Sequence, residues 1–148
     1  MKIISANKRA NFDYTFSLKF DAGIVLTGSE VKSLRINTGS LTGSYIKEKG
    51  GELWLSNCYI KQYSNSNSKS YDPSRDRKLL LNRKEINKIV GLIKQSQFSS
   101  IPISLYFNNN GLTKLNFGLG KGKKKYDKRQ SMKEKDWNIK KERLLKNN

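Results

Sequence analysis

The chain contains no histidine and a single cysteine, Cys58. One cysteine cannot form a disulfide within the chain, and a zinc site of the usual Cys/His type would have too few ligands. Without histidine, Ser-His-Asp and Cys-His catalysis lack their general base. Because Cys58 lies in a strand-like stretch, we expect it to be a small packed hydrophobic residue rather than a reactive thiol.

Acidic residues and long apolar runs are scarce as well. The chain has twelve Asp and Glu residues, whereas a two-carboxylate nuclease or a metal site needs several converging acids. We therefore expect no catalytic residue, no metal and no cofactor. No apolar run approaches the roughly 20 residues that span a bilayer, and Met1–Ala6 is too short for a secretory signal. We expect a cytoplasmic protein without a membrane partner.

Positive charge is abundant. Thirty Lys and Arg residues give a net charge of +18 and a pI near 10.1, and such a field favours a phosphate backbone as the partner. Residues 121–148 alone carry twelve Lys and Arg against four Asp and Glu. We therefore predict an RNA-binding domain over residues 1–120 and a basic tail over 121–148 that is loose in solution and orders on a polyanion.

Short strands joined by tight turns dominate the first 120 residues. Alternating apolar residues predict a half-buried strand over Phe12–Phe20. Two β-hairpins are also predicted, the first with its turn at Gly50–Gly51 and the second with its turn at Asn108–Gly111. We expect the return strand of the first hairpin to run continuously from Glu52 to Gln62, with one face formed by Leu53, Leu55, Asn57, Tyr59 and Lys61. About six strands and two or three helices predict a mainly β fold, a small closed antiparallel barrel with flanking helices.

Two helices have clear start signals. Thr27–Glu30 matches a capping box and predicts a short helix with Lys32 and Arg35 on one side. Asn82 is the predicted N-cap of a longer helix. Its apolar stripe has helical spacing and is formed by Ile86, Ile89, Val90 and Ile93. Between these helices, the polar stretch Ser64–Ser70 predicts an exposed loop.

A glycine-rich stretch ends the strand region but does not match a known phosphate loop. A Walker loop requires Gly where Phe117 stands and Ser or Thr where Lys124 stands. A dinucleotide fingerprint requires its third Gly where Lys123 stands. We interpret Lys121, Gly122, Lys123 and Lys124 as a flexible basic hinge at which bare backbone can approach a phosphate.

Basic residues fall into three clusters: Lys8 with Arg9, then Arg75 with Arg77 and Lys78, then the tail. Tyr14, Tyr71, Tyr126 and Trp137 lie near them in the sequence. Lys and Arg hold phosphates while aromatic rings stack on unpaired bases, so the combination favours RNA. A generic RNA-binding barrel, such as a ribosomal protein or an RNA chaperone, remains an alternative. An enzyme acting on RNA is a third, which the missing histidine and scattered acids disfavour.

The tail itself carries helix signals. Ser131–Glu134 is a second capping box, and two acid-to-lysine pairs follow at i, i+4 spacing. They predict a helix from about Met132 to Leu145. So short a helix is marginal alone in water, and we hypothesise that it orders only inside an RNA-lined site.

Four segments of the chain match one known family: Asn7–Ala10, Ala22–Arg35, Asp72–Leu81 and Gly120–Arg129, which are spread over most of its length. On these segments the chain resembles the SmpB family, the SsrA-binding proteins of bacteria. It implies a small antiparallel barrel with OB-like features. It also implies that the protein binds the tRNA-like domain of transfer-messenger RNA (tmRNA). With elongation factor Tu, GTP and alanyl-tmRNA, such proteins act on stalled ribosomes, where the tail occupies the decoding centre and the empty mRNA channel. We expect a monomer.

The resemblance also assigns residues. Asn7, Asp21 and Leu80 fall on the family's RNA-binding surface, with Asp21 in place of the expected Glu. To these we add Lys8, Arg9, Tyr14, Arg35, Arg75, Arg77 and Lys78 as tmRNA contacts. Asp127, Lys128 and Arg129 match the tail motif required for tagging, and Tyr126 stands where many relatives have His. Trp137, Leu144 and Leu145 match apolar positions of the tail helix.

Overall fold

The computed structural model describes residues 1–64, 69–123 and 125–146, without the side chains of residues 96, 125–128, 130, 131 and 144–146. Four residues of the predicted loop, 65–68, lie outside this description. The described part contains nine strands: β1 (Lys2–Ala6), β2 (Tyr14–Ile24), β3 (Gly39–Ser40), β4 (Tyr45–Lys49), β5 (Glu52–Ser56), β6 (Tyr59–Ile60), β7 (Arg77–Leu80), β8 (Ser99–Phe107) and β9 (Thr113–Gly122). Its four helices are α1 (Ala10–Asp13), α2 (Gly28–Arg35), α3 (Arg83–Ser96) and α4 (Lys125–Lys146).

Seven of the strands form one antiparallel sheet in the order β1-β8-β9-β2-β7-β5-β4, and β3 pairs with β6 in a separate ribbon. The mainly β prediction is therefore confirmed. The predicted number of strands is too low. β3 and β7 are two and four residues long, too short to show a period of two. β1 was not predicted either, and β6 falls inside the single return strand predicted from Glu52 to Gln62. The described part of the chain contains no helix long and apolar enough to cross a bilayer.

A closed barrel is not found. Hydrogen bonding runs from β1 at one edge of the sheet to β4 at the other, and these two strands are not paired within the described residues. The sheet is nevertheless strongly curved, because β4 approaches β8 closely although β8 lies next to the opposite edge. The ribbon strand β3 lies against β1. The predicted closure is thus not confirmed, and what we observe is a curved open sheet.

The core lies on the concave side of this sheet, where α2 and α3 contribute to it. Fully buried residues from the strands include Leu55, Leu79 and Phe117, and the helices add Leu34 and Ile89. The Phe20 and Phe117 rings stack with centroids 5.5 Å apart. The apolar stripe predicted for α3 is confirmed. Ile86 and Ile89 are buried, and Val90 and Ile93 pack against the same core.

Both predicted helix caps are present. The Thr27 hydroxyl accepts from the Glu30 amide at 3.2 Å, and the Glu30 carboxylate accepts from the Thr27 amide at 2.9 Å. The Asn82 side chain accepts from the Glu85 amide at 2.8 Å. Each cap satisfies an amide that the first helical turn leaves without a partner, which is why the sequence locates these two starts well.

Two strand predictions are corrected. Phe12 belongs to α1, so the strand predicted from Phe12 begins at Tyr14. The return strand predicted from Glu52 to Gln62 is broken at Asn57, which adopts a left-handed φ of 58°. This residue reverses the facing of the chain. Leu55 is buried before it, whereas Cys58 and Ile60 are buried after it and Tyr59 is exposed. Asn adopts the left-handed region more readily than most residues. The amino-acid composition of this stretch does not change at Asn57, so the sequence does not reveal the break.

The tail forms helix α4, which begins at Lys125 rather than near Met132. Its first residues are largely good helix formers, so the internal capping box does not mark the start. Strand β9 continues to Gly122, and the Lys123 amide donates to the Asp13 carbonyl at 2.8 Å. The boundary predicted at residue 120 therefore falls inside β9.

Candidate nucleic-acid interface

The turn between β1 and α1 holds Asn7 and presents two basic residues. The Asn7 amide donates to the Pro102 carbonyl at 3.2 Å, and its oxygen accepts from the Arg9 backbone amide at 3.3 Å. These bonds attach the turn to β8. Lys8 and Arg9 are exposed. The Arg9 guanidinium lies 5.1 Å from the centroid of the Phe12 ring and 3.5 Å from the Asp13 carboxylate.

Beside this turn lies an open cleft with a volume of about 590 Å³. It is bounded by Asn7, Lys8 and Arg9 on one side and by the 41–44 loop on the other, and Tyr14 also lines it. Tyr14 is half-buried, and its ring is stacked on Phe16 with centroids 6.3 Å apart. The structure thus places four predicted RNA contacts around one cleft with cations at its rim.

A second group of predicted contacts lies on the outer face of the sheet. Asp21 on β2 accepts from the Tyr106 hydroxyl at 2.9 Å and from the Asn116 amide at 3.0 Å. Partial burial raises the pKa of Tyr106, and its hydrogen bond to Asp21 adds to this rise. The two donors fix the orientation of the Asp21 carboxylate. Tyr106 and Asn116 were not predicted from the sequence, since the pairing of β8, β9 and β2 alone brings them to Asp21.

Leu80 on β7 is an exposed leucine on this same face, with 54% of its surface accessible. It is the cross-strand partner of Gly23. A Cβ atom added at Gly23 would lie 3.2 Å from the Leu80 Cβ, closer than the roughly 4.5–5.5 Å usual between cross-strand Cβ atoms. The glycine therefore lets Leu80 lie close over β2 while it remains open to a ligand.

Arg77 corrects the sequence interpretation. Its side chain is fully buried, and its guanidinium donates to the Glu30 carboxylate at 2.7 Å and to the Cys58 carbonyl at 2.6 Å. Strand β7 alternates, so Arg77 and Leu79 point into the core while Lys78 and Leu80 point outward. A direct RNA contact does not fit this geometry. Arg77 instead joins β7 to α2 and to the chain before β7.

Glu30 binds a second arginine of the same motif. Arg75 also pairs with Glu30 and is about one-third exposed. Burial on its own would raise the pKa of Glu30, but the hydrogen bonds from Arg75 and from the Thr27 amide, together with the charge of Arg77, hold that pKa below its ordinary value of 4.5. The Tyr71 hydroxyl donates to the Ile60 carbonyl at 2.7 Å beside this group. Arg77 is thus structural, whereas Arg75 pairs with Glu30 and still keeps part of its surface free.

The remaining predicted contacts lie on separate elements. Arg35 is exposed at the end of α2. Lys78 is partly exposed on β7, 3.9 Å from the Glu52 carboxylate. The sequence did not single out Trp54, which is the cross-strand partner of Lys78. The alternation of the hairpin strands already places Trp54 on the same face as Lys47 and Lys49. The sequence does not show that β7 lies beside this hairpin, so it does not place Lys78 next to Trp54.

The tail residues are described only in part. Lys121 is exposed and its ammonium lies 5.1 Å from the centroid of the Phe98 ring. Gly122 pairs with Tyr14 at the end of β9. Arg129 and Trp137 are exposed on α4, Trp137 with 62% of its surface accessible. Lys124 lies outside the described residues, as do the side chains of Tyr126, Asp127, Lys128, Leu144 and Leu145.

These surfaces carry groups that are suited to binding. Burial raises the pKa of the Cys58 thiol to about 11, and the residue is fully buried, so the thiolate is not available as a nucleophile. Among the residues that the structure describes, no group of three or more acids and cysteines could hold a metal ion. Exposed cations, fixed polar groups and exposed rings can hold phosphates and stack on bases.

Comparisons with protein families, with individual proteins and with solved structures all find the same family. The family model described as SmpB protein matches residues 4–147. The chain is 47% identical to the SsrA-binding protein of Wolbachia pipientis subsp. Culex pipiens (strain wPip) over 148 residues, which cover all of this chain and 99% of the relative. It is 48% identical to the SsrA-binding protein of Ehrlichia canis (strain Jake), with both chains fully covered. A solved chain from "tmRNA-SmpB: a journey to the center of the bacterial ribosome" is 38% identical, with a TM-score of 0.65, covering 86% of this chain and 92% of that one.

Proposed function

This chain belongs to the SmpB family, and on that basis we propose that it is a tmRNA-binding adaptor of trans-translation. It binds the tRNA-like domain of tmRNA and brings it to stalled ribosomes, so that the incomplete peptide is tagged for degradation. The observation that carries this proposal is the length of the family match, residues 4–147. This match includes both the basic sheet and the tail helix. A generic RNA-binding barrel would give the tail helix no role.

We assign tmRNA binding to two sets of residues. The first surrounds the cleft and consists of Asn7, Lys8, Arg9 and Tyr14. The second lies on the outer sheet face, with Asp21, Lys78 and Leu80, while Arg35 and Arg75 supply further cations. Lysines and arginines contact phosphates, whereas the oriented Asp21 carboxylate and the apolar Leu80 distinguish one RNA fold from another by shape. Arg77 supports this surface from inside the core.

The tail has a separate task in this proposal. Residues 121–148 enter the decoding centre and the empty mRNA channel, where contacts with RNA stabilise α4. The hinge and first turn supply cations and a ring, at Lys121, Gly122, Lys123, Lys124 and Tyr126. Asp127, Lys128 and Arg129 are required for tagging. Trp137 is exposed on α4, so its ring is available to a ribosomal partner. We assign Leu144 and Leu145 to the same apolar contact.

The partners follow from the same mechanism. The protein acts as a monomer in the cytoplasm, with alanyl-tmRNA, elongation factor Tu and GTP as the delivered complex. It performs no catalysis of its own. In the bound state we expect the curved open sheet to work as an OB-like barrel does, by presenting its outer face to RNA.

A competition gel shift tests the proposal. The labelled tRNA-like domain of tmRNA is bound to the protein at physiological salt and then challenged with excess bulk tRNA. We expect the complex to survive, because the oriented contacts discriminate where net charge does not. If bulk tRNA displaces the labelled RNA, charge alone is being recognised and the protein is a generic RNA binder.

Tail truncation tests the division of tasks. We expect a protein that ends at Lys125 to bind the tRNA-like domain as the full chain does but to support no tagging on stalled ribosomes. A parallel loss of binding and tagging would make the tail only an electrostatic anchor.

A further inference from the structure

The outer face of the sheet carries a tryptophan between two lysines. Strand pairing places Trp54 of β5 beside Lys47 of β4 on one side and Lys78 of β7 on the other. Cross-strand partners point to the same side of a sheet. The alternate residues Leu53, Leu55 and Leu79 are buried on the opposite side. Lys47, Trp54 and Lys78 therefore form a row across three strands, which we call the Trp54 row.

The indole ring in this row is held in place. Its Nε1 donates to the Lys49 carbonyl at 3.1 Å, and the Lys49 ammonium lies 4.6 Å from the ring centroid. A ring fixed in this way loses little conformational freedom when a ligand stacks on it. The Lys49 side chain is 57% exposed, so its ammonium can move from the ring to a nearby phosphate.

The charges around the ring favour an anionic ligand. Lys47 and Lys49 share the Asp76 carboxylate, at 2.9 and 3.4 Å. Lys78 and Arg83 share the Glu52 carboxylate, at 3.9 and 2.9 Å. In these two groups, four cations surround two carboxylates, so positive charge remains. The bond from Lys47, followed by that from Ser56, lowers the pKa of Asp76 to about 2.

The Trp54 row also adjoins the proposed tmRNA surface. Lys78 and Leu80 are two residues apart on β7 and so share a face. Leu80 is the partner of Gly23, and Asp21 lies two residues before Gly23 on β2. The outer face is therefore continuous from Asp21 through Leu80 to Trp54.

We propose that the Trp54 row extends this surface by stacking an unpaired nucleotide of the tRNA-like domain on Trp54, with Lys47, Lys49 and Lys78 on the adjoining phosphates. This inference rests on the proposed function. The ligand is a nucleic acid rather than an acidic protein because an immobilised ring on an open sheet, flanked by cations on adjacent strands, matches alternating base and phosphate. Stacking accepts any base, so the row adds affinity more than sequence preference.

Substitution of the ring in the full-length protein is the test. We expect Trp54→Ala to weaken binding of the tRNA-like domain by about five- to a hundredfold, the range that loss of one base-aromatic stack produces. Trp54→Phe keeps a ring and should lose less. Tyr59→Ala is the matched control, because Tyr59 is an exposed aromatic residue on the separate ribbon, and its affinity should equal that of the wild type. Circular dichroism identifies variants that are folded.

Fluorescence reports on the ring directly. The chain has two tryptophans, so Trp137→Phe leaves Trp54 as the sole indole emitter, and we expect the tRNA-like domain to quench its emission. Wild-type affinity in a folded Trp54→Ala variant, or a loss confined to ribosome binding, would overturn the inference. If Leu80→Ala weakens binding while Trp54→Ala does not, only this inference is wrong. If the wild type does not prefer the tRNA-like domain to bulk tRNA, the proposed function is wrong and this inference falls with it.

Discussion

Replacing Glu30 by Gln should destabilise the protein severely without removing an RNA contact. Glu30 is buried in α2 and pairs with the fully buried Arg77 and with Arg75. The variant keeps the shape of the side chain but leaves the Arg77 guanidinium buried without its counter-charge. Arg77 retains the Cys58 and Pro73 carbonyls as acceptors, at 2.6 and 3.1 Å, but neutral carbonyls do not replace a carboxylate.

The magnitude follows from the burial of both charges. Breaking a buried ion pair by removing one partner costs about 3–5 kcal/mol, out of a total stability of about 5–15 kcal/mol for a domain. With a urea dependence of about 2 kcal/mol per M, the unfolding midpoint should fall by about 1.5–2.5 M. A domain in the middle of that range, at about 10 kcal/mol, would keep a free energy of unfolding of about 5–7 kcal/mol.

Urea unfolding followed by circular dichroism measures this change. Glu52→Gln is the matched control, because Glu52 pairs with the largely exposed Arg83 and Lys78, and such surface pairs contribute about 0–1 kcal/mol. A midpoint for Glu30→Gln within about 0.5 M of the wild type would refute the structural role of the pair. Binding of the tRNA-like domain, measured where the variant is folded, should weaken only slightly, because Arg75 keeps its charge when it loses Glu30 as its partner.

Acid should reduce the difference between Glu30→Gln and the wild type. The folded pKa of Glu30 lies below 4.5, so the stabilisation from its ionised form is complete above that value and is lost as the pH falls through the folded pKa. The two midpoints should therefore differ most near neutral pH and converge below pH 4.5. A difference that grew on acidification would contradict the sign of this linkage.

Three further predictions concern other parts of the chain. Gly23→Ala should displace Leu80 and weaken binding of the tRNA-like domain in a gel shift, but should cause no further loss in a Leu80→Ala background; equal losses in both backgrounds would separate the two residues. Cys58, whose pKa is raised to about 11 by burial, should react with iodoacetamide only after unfolding in urea, as mass spectrometry would show, and rapid labelling of the native protein would contradict its burial. A peptide of residues 121–148 should show little helicity by circular dichroism in plain buffer, and strong helicity there would mean that α4 needs no ribosomal partner.

Interactions between near neighbours in sequence were predicted well. The Thr27 and Asn82 caps, the apolar stripe of α3 and the Gly50–Gly51 hairpin each depend on residues a few positions apart, and all are confirmed. The start of α4 was placed too late, because an internal capping motif does not stop a helix whose preceding residues favour helix.

The directions in which individual side chains point are harder to predict from the sequence. The position of Arg77 among basic residues favours an RNA contact. The alternation along β7 indicates otherwise, because Arg77 lies on the same face as the buried Leu79, opposite to the exposed Leu80. Its burial depends on Glu30, which is far away in the sequence and is brought close by packing of α2. The break at Asn57 similarly depends on one backbone angle, which composition does not reveal.

Four features can be predicted from the sequence alone: the charge, the absence of histidine chemistry, the starts of helices α2 and α3, and the family motifs. These are properties of composition or of contacts within one turn of chain. Three features follow only from the folded chain: Arg77 is buried, β1 and β4 are not paired within the described residues, and Lys47, Trp54 and Lys78 form one row. Each of these features depends on contacts between segments that are distant in the sequence. The free energy gained by burying the apolar face sets the strand register, and the register sets which side chains face outward and can contact RNA.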